Sequence, residues 1–348
     1  MKLGLIARCD ARGLGIQCRG FHDNLPVDRT LVIEAAANIS PLTQHPEWYP
    51  PDSMNILWDG GPIDPDVMRR FCTGLSAVYC AETPYDWSLF DIARSVNCRT
   101  ILHVNAELYR PAIDTYLPRP DAVWLHSPWL ADQIPHDAIM PVPVDRSHLP
   151  YRQRHSARRF VHVVGLRASR DRNGTSTLIR ALSRLRPAVP IEVILRSQSP
   201  LPRFGLPRNL PDVTLRTEIA DVPTVRGLYD DADVMLLPRK YGGGCLPMFE
   251  AASLGLPVIM TDTAPQNTIL GAESLVPVAR SALLRTQFGR IPIVEASPVG
   301  LAKRINELVN DDAMVERLSR GSDRIAGEHS WDVWRGKYLA EIEKVIAR

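Results

Sequence analysis

The chain has 348 residues, 45% of them hydrophobic and 23% charged, which is too long for one ordinary core and predicts two domains of soluble globular composition. No apolar run reaches the length of a membrane-spanning helix. The six cysteines (Cys9, Cys18, Cys72, Cys80, Cys98, Cys245) form no C-x-x-C pair and have no histidine at ligand spacing, which argues against a disulfide or zinc scaffold. The formal net charge of +2 is uneven: residues 1–150 hold 12 basic against 18 acidic side chains and the remainder 29 against 21, the basic excess lying between Arg152 and Arg196. A basic second half suits a phosphorylated ligand, and an acidic first half disfavours a polyanionic acceptor lying across it. With a strand pattern at the very start and no signal peptide, a reduced, cytoplasmic protein is expected.

Lys2 to Ala7 reads as the first strand, and the loop after it contains Gly13-Leu14-Gly15. Glu34, closing the next strand (Thr30 to Ile33), invites a dinucleotide-binding reading. The spacing argues against it, because the third glycine of that fingerprint falls at Cys18 and five residues separate the strand from Gly13. Met54 to Trp58 is a third strand. Asp64-Pro65-Asp66 has a metal-binding D-x-D spelling, but Asp64 as helix N-cap with Pro65 at the first helical position accounts for it better. Leu75 to Cys80 is a fourth strand, followed by a helix from Trp87 to Val96 and a strand from Thr100 to Val104. His103, Asn105 and Glu107 therefore gather at a strand's carboxyl end, where open α/β sheets bind ligands. Ala122 to Leu125 and Ser127-Pro128-Trp129 make another strand and helix start, and the half ends in the proline-rich run Ile139 to Asp145.

Arg146 to Arg158 is polar, Arg-rich and non-periodic, hence a linker. Phe160 to Val164 opens a fresh strand, and the loop Gly165 to Gly174 carries Arg167, Arg170 and Arg172 beside its glycines, a composition that favours phosphate. A helix from Ser176 to Leu185 follows, then strands at Ile191 to Leu195 and Val213 to Leu215 and a helix from Val222 to Tyr229. Asp231-Ala232-Asp233 repeats the D-x-D spelling at a helix-to-strand junction and reads as structural. The stretch Asp233 to Thr261 is the most informative in the chain. It passes from an apolar strand (Val234 to Leu237) through Arg239-Lys240 and three glycines (Gly242, Gly243, Gly244) into a helix from Leu246 to Leu254, then a second strand (Val258 to Met260). Glycines let the backbone approach a ligand closely, and a helix N-terminus offers unpaired N–H groups to an anion. Arg239 and Lys240 add charge at the same mouth, and Glu250 sits about one turn inside, placed to accept hydrogen bonds from sugar or ribose hydroxyls. Leu275 to Val278, helices from Gly300 to Val309 and Ala313 to Ile325, and a last helix opened by Ser330-Trp331 and running to Ile346 complete the chain.

The spelling Gly242-Gly243-Gly244-Cys245-Leu246-Pro247-Met248-Phe249-Glu250-Ala251, closed by Gly255-Leu256-Pro257-Val258, resembles the nucleotide-sugar-binding segment of family-4-type GT-B glycosyltransferases. The proline-rich, Asp-ended run at Asp145 resembles the junction between their domains, and the first half looks like glycosyltransferases found in bacteriophage genomes. The resemblance implies an α/β protein of two Rossmann-like doubly wound domains facing a cleft. Residues 1–150 would form the acceptor-side domain, 151–329 the nucleotide-sugar-binding domain, and 330–348 a helix crossing back to the first. It further implies that Gly13 and Gly15 lie over the donor phosphates, with Leu14, Asn105 and Glu107 on the acceptor side. Arg167 and Arg172, with Arg170 competing for the register, would hold the diphosphate; Gly243, Gly244, Cys245, Leu246 and Glu250 would bind the donor, and His103, Arg167 and Arg172 would be catalytic. One position departs from the family: its first Glu, seven residues before the second, is here Gly242.

The expected chemistry is transfer of a sugar from a nucleotide-diphosphate sugar to an acceptor hydroxyl, with retention of configuration, no metal and no cofactor beyond the donor itself. Carbohydrate, small-molecule and protein acceptors are favoured over DNA. A non-catalytic nucleotide-sugar-binding protein, an enzyme that isomerises or hydrolyses the nucleotide sugar, and a phage-type transferase acting on modified DNA bases or virion protein are the alternatives.

Overall fold

The computed structural model describes residues 1–109, 118–165, 171–201, 210–222, 224–286 and 289–348. The chain divides into two compact units, one of Met1–Pro143 with Trp331–Arg348 and the other of Val144–Ser330.

The first unit is built on strands β1 (Leu3–Arg8), β2 (Val27–Ala35), β3 (Met54–Trp58), β4 (Ala77–Ala81), β5 (Arg99–Val104), β6 (Ala122–Leu125) and β7 (Ala138–Ile139). They form one sheet in the order β3-β2-β1-β4-β5-β6-β7, with every neighbouring pair parallel. A parallel sheet needs cover on both faces, and the sequence supplies it: all six residues of β1 are buried, as in a strand with no solvent face. Helix α1 (Gly13–Asn24) puts Cys18 and Phe21 on one face, joined there by Trp331, Tyr338, Ile342 and Val345 of the chain's last helix. Helices α2 (Pro65–Cys72) and α3 (Leu89–Ser95) cover the other with Met68, Phe71, Leu89 and Phe90. Asp64 accepts the Asp66 N–H at 2.9 Å, and Pro65 opens α2, so the first D-x-D is a helix cap.

One expectation fails here. The segment holding Gly13-Leu14-Gly15 is not an open glycine loop but the first turn of α1. The reason is packing: a Cβ on Gly15 would collide with the carbonyl of Asp10, so glycine lets the helix start directly against the loop that leaves β1.

In the second unit the strands are β8 (Arg159–Val163), β9 (Ile191–Ser197), β10 (Val213–Ile219), β11 (Val234–Leu237), β12 (Val258–Thr261) and β13 (Leu275–Val276), in the order β10-β9-β8-β11-β12-β13, all parallel. Relabelled from the start of the unit this is 3-2-1-4-5-6, the doubly wound order whose direction reverses between the first and fourth strands, here β8 and β11. Helices α4 (Thr175–Leu182) and α6 (Pro298–Asn310) pack on one face, and α5 (Leu246–Ser253) and α7 (Asp312–Glu328) on the other. The final helix, α8 (Trp331–Ile346), belongs to the first unit. Asp233 accepts the backbone N–H groups of Arg158 and Arg159 at 2.9 and 2.8 Å, and Asp231 receives Arg196 at 2.8 Å and Arg216 at 3.0 Å, so the second D-x-D anchors strand ends.

Two further differences from the sequence reading have local causes. The expected helix Val222 to Tyr229 is, in its described part, a single 3-10 turn at Val225–Leu228, opened by Thr224 capping the Gly227 N–H and stopped by Tyr229, whose ring is buried in the core. The stretch after β13 forms an unforeseen antiparallel ribbon, β14 (Val278–Thr286) with β15 (Gly289–Ala296), whose residues are largely exposed and so carry no apolar signature.

Candidate active site

In a doubly wound sheet ligands bind outside the carboxyl ends of the strands where the order reverses. In the second unit the described residues beyond those ends are Val164, Gly165 and Asp171 to Gly174 after β8, and Pro238 to Cys245 after β11. The two approach closely at Gly174, which has φ +76° and where any Cβ would collide with the Pro238 carbonyl, and the Lys240 N–H donates to Arg172 O at 2.8 Å. Behind them His162 is fully buried, donating from Nδ1 to Leu236 O at 2.8 Å and therefore accepting the Thr175 hydroxyl at Nε2, also 2.8 Å. Burial lowers its pKa to about 4, so it is a neutral tie between β8, β11 and α4.

The charges of the β11 loop serve its shape. Buried Arg239 donates through Nε to Tyr241 O at 2.9 Å and through Nη2 to Gly244 O. In a trans peptide the N–H points opposite to the carbonyl, so the N–H groups of Gly242 and Cys245 are turned away from that guanidinium. Lys240 pairs with Asp171 at 2.8 Å and Glu295 at 3.0 Å; burial pulls its amine down, but those hydrogen bonds outweigh it and hold the pKa above the ordinary lysine value. Asp171 also accepts the Ser176 N–H at 3.1 Å at the start of α4. Arg239 and Lys240 were expected to add charge at the mouth; the fold uses both to brace it.

Of the expected donor residues, Gly242, Gly243 and Cys245 are buried in this loop, Gly244 and Leu246 are half-buried, and Arg172 stands beside it with its guanidinium 5.5 Å from the centre of the Tyr241 ring. Cys245 precedes α5 without capping it through its side chain; Pro247 has no N–H and the Met248 N–H donates to Cys245 O at 3.1 Å, so in the first three residues the Leu246 N–H is the one that could be offered to an anion. Gly242 has φ +125°, a backbone state that L side chains rarely adopt; the loop in this form has no place for the family's first Glu. Arg167, with its competitor Arg170, lies outside the described residues.

Glu250, on α5, is buried and accepts the Tyr229 hydroxyl at 2.7 Å on Oε2. Burial raises its pKa to about 7, against the pull of the tyrosine hydrogen bond. Tyr229 itself is fully buried, with its pKa held well above 10 chiefly by burial and by the Glu250 charge, so it remains a hydrogen-bond donor. Nothing in the sequence marks Tyr229 as a partner of a glutamate 21 positions later.

In the first unit the carboxyl ends of β4 and β5 bring His103, Asn105 and Glu107 together, all buried. Asn105 donates to Glu82, which has φ +59°. His103 has no exposed surface. Its Nε2 donates to Met140 O at 2.7 Å, and its Nδ1 therefore accepts the Tyr79 hydroxyl at 2.7 Å. Burial, then the neighbouring His126, pushes its pKa well below the usual histidine value. The site expected from the sequence to use His103 catalytically thus holds it with both ring nitrogens engaged and the ring neutral. His126, which the sequence reading passed over, lies with its ring centre 4.2 Å from that of His103 and its Nε2 3.4 Å from Gln17. Exposed Gly13, half-buried Leu14 and buried Gly15 are in α1, after the carboxyl end of β1.

The two parallel doubly wound sheets are those of the GT-B fold, and residues 158–311, rather less than half of the chain, match the family model described as "Glycosyl transferases group 1". Among solved structures the chain is similar to the sucrose-phosphate synthase of Thermosynechococcus elongatus, with 14% identity and a TM-score of 0.66 over 100% of this chain and 99% of that one. An α-glucosyltransferase in complex with UDP and a 13-mer DNA containing an HMU base matches at 10% identity and a TM-score of 0.62, covering 100% of both chains. The catalytic domain of starch synthase IV from Arabidopsis thaliana, bound to ADP and acarbose, matches at 13% identity and a TM-score of 0.60, again over 100% of both. At these identities the likeness is one of fold. No curated protein matches the sequence.

Proposed function

We propose that the chain moves a glycosyl group from a nucleotide-diphosphate sugar to an acceptor hydroxyl, with retention of configuration and without a metal ion. The observation that carries this reading is the glycine loop at the reversal point of the second sheet, braced from inside by Arg239 and leading into the N-terminus of α5, which has no side-chain cap. In the reaction the bond between the anomeric carbon and the diphosphate oxygen breaks as the bond to the acceptor oxygen forms. The acceptor proton passes to a phosphate oxygen of the leaving group. Charge develops on the diphosphate, and the N–H groups of the loop, the α5 dipole, Arg172 and, from the resemblance, Arg167 stabilise it where it appears. Glu250 holds the ribose hydroxyls. The capping and strand-anchoring roles of Asp64, Asp231 and Asp233 favour a mechanism in which neither D-x-D binds metal.

The acceptor is assigned to the sheet end of the first unit that carries Asn105 and Glu107, and a carbohydrate, small-molecule or protein hydroxyl is favoured over DNA. A second reading, nucleotide-sugar binding without transfer, draws on the glycine conformation at 242, which removes the family's first Glu. One experiment separates them: the protein is incubated with radiolabelled UDP-, ADP- and GDP-sugars and a panel of acceptors, with and without excess chelator. Transfer that survives chelator supports the proposal. Released nucleotide without transfer means hydrolysis, and binding without either means the second reading.

A further inference from the structure

We infer that Tyr229 is a positioning residue for the nucleotide's ribose, acting through Glu250. The inference rests on the reading of Glu250 as the ribose ligand and adds the device that aims it. A carboxylate offers about four acceptor positions, and a glutamate on a helix swings about three torsions. Here the Tyr229 hydroxyl occupies one position on Oε2 at 2.7 Å, while Oε1 accepts no hydrogen bond from the described residues. The pair is buried in the layer that also holds Phe249 and Met248, so water does not replace the phenol freely.

Tyr229 is itself held from outside that layer. It ends the 3-10 turn at Val225–Leu228, and Arg196 on β9 grips that segment on both sides, donating through Nη1 to Gly227 O and through Nη2 to Asp231 Oδ1, each at 2.8 Å. The third arm of Arg196 is bound to Glu218 at 2.7 Å. A chain of fixed contacts thus runs from the β9–β10 edge through Asp231 and Tyr229 to Glu250. Such an arrangement restricts Glu250 before any ligand arrives, so less freedom is lost when the ribose binds. The burial that raises the Glu250 pKa fits the same geometry, since an enclosed carboxylate with a single donor gains most from two further hydroxyl donors.

The test is ribose discrimination. Dissociation constants for UDP and ADP, and for their 2′-deoxy and 3′-deoxy forms, are measured by calorimetry on the full chain, and the ratio of the deoxy to the ribose dissociation constant is read. Wild type should favour the ribose form by about tenfold or more, and Glu250→Gln should bring the ratio down to a few-fold. Tyr229→Phe, which removes one oxygen, should lower the ratio at least about threefold; a mere loss of packing would weaken both forms equally and leave it unchanged. Should the phenylalanine variant fail to fold, Arg196→Lys, which loosens the grip on Gly227 and Asp231, is expected to lower the same ratio. If Glu250→Gln loses discrimination while a folded tyrosine or arginine variant keeps the wild-type ratio, the inference is overturned and the Glu250 reading stands. If Glu250→Gln keeps the wild-type ratio, the Glu250 reading itself falls.

Discussion

Replacing Glu250 with glutamine should stabilise the protein at alkaline pH while weakening donor binding. The carboxyl is buried against Tyr229, and its pKa rises from the ordinary 4.5 to about 7. Because the folded state holds this proton more tightly than the unfolded chain, it carries more protons between those two values, and stability falls as pH rises through the window. The loss is absent below the unfolded value and complete once pH exceeds the folded one. A shift of that size, at about 1.4 kcal/mol per unit, amounts to roughly 3 kcal/mol. Glutamine cannot ionise and still offers a carbonyl to the Tyr229 hydroxyl, so Glu250→Gln should be near neutral at pH 5 and stabilising by about 2–3 kcal/mol at pH 8. For a unit of this size that corresponds to roughly 4–12 °C in the melting temperature. Scanning calorimetry of both proteins across this pH range isolates the effect, because other titrating groups cancel in the difference. A melting-temperature difference that stays constant from pH 5 to pH 8 would refute the argument. The same substitution should weaken binding of the preferred nucleoside diphosphate about tenfold, so the wild-type residue is retained at a cost in stability.

Gly174→Ala should lower the melting temperature and the donor affinity together, since φ +76° and the Pro238 carbonyl both exclude a side chain; normal binding by a folded variant would show that the loops tolerate separation. Lys240→Met leaves Asp171 and Glu295 facing each other without their shared cation and should cost about 2 kcal/mol in denaturant unfolding, with an unchanged midpoint counting against the bracing role. Gly242→Glu, which restores the family's residue, should reduce stability by roughly 1–3 kcal/mol and should not raise turnover, because the backbone there is in a glycine conformation; a more active variant would mean the loop readily changes form. Tyr79→Phe should destabilise the first unit by about 1–2 kcal/mol by leaving His103 Nδ1 without its donor, which urea unfolding can check.

Much of this protein is written along the chain. The buried runs Leu3–Arg8 and Val234–Leu237, the caps at Asp64 and Asp233, and the alternation of strand and helix specify two doubly wound halves, because parallel strands with covered faces need continuous apolar stretches. The loop from Arg239 to Cys245 was legible for the same local reason: glycines and a following helix are neighbours in sequence. Tertiary structure decided how the charges and rings in these places are used. Arg239 and Lys240 look like ligand-binding cations until the fold surrounds them with Tyr241 O, Gly244 O, Asp171 and Glu295. His103 looks like an open site residue in the sequence, and only the fold brings Tyr79 of β4 to one nitrogen and Met140 O to the other. Tyr229, at the end of the 3-10 turn, and Glu250 on α5 meet only in the folded core, where the phenol donates to the carboxyl. Propensity and periodicity act between near neighbours along the chain, whereas hydrogen-bond partners and dielectric surroundings, which set pKa and role, come from segments the fold alone brings together.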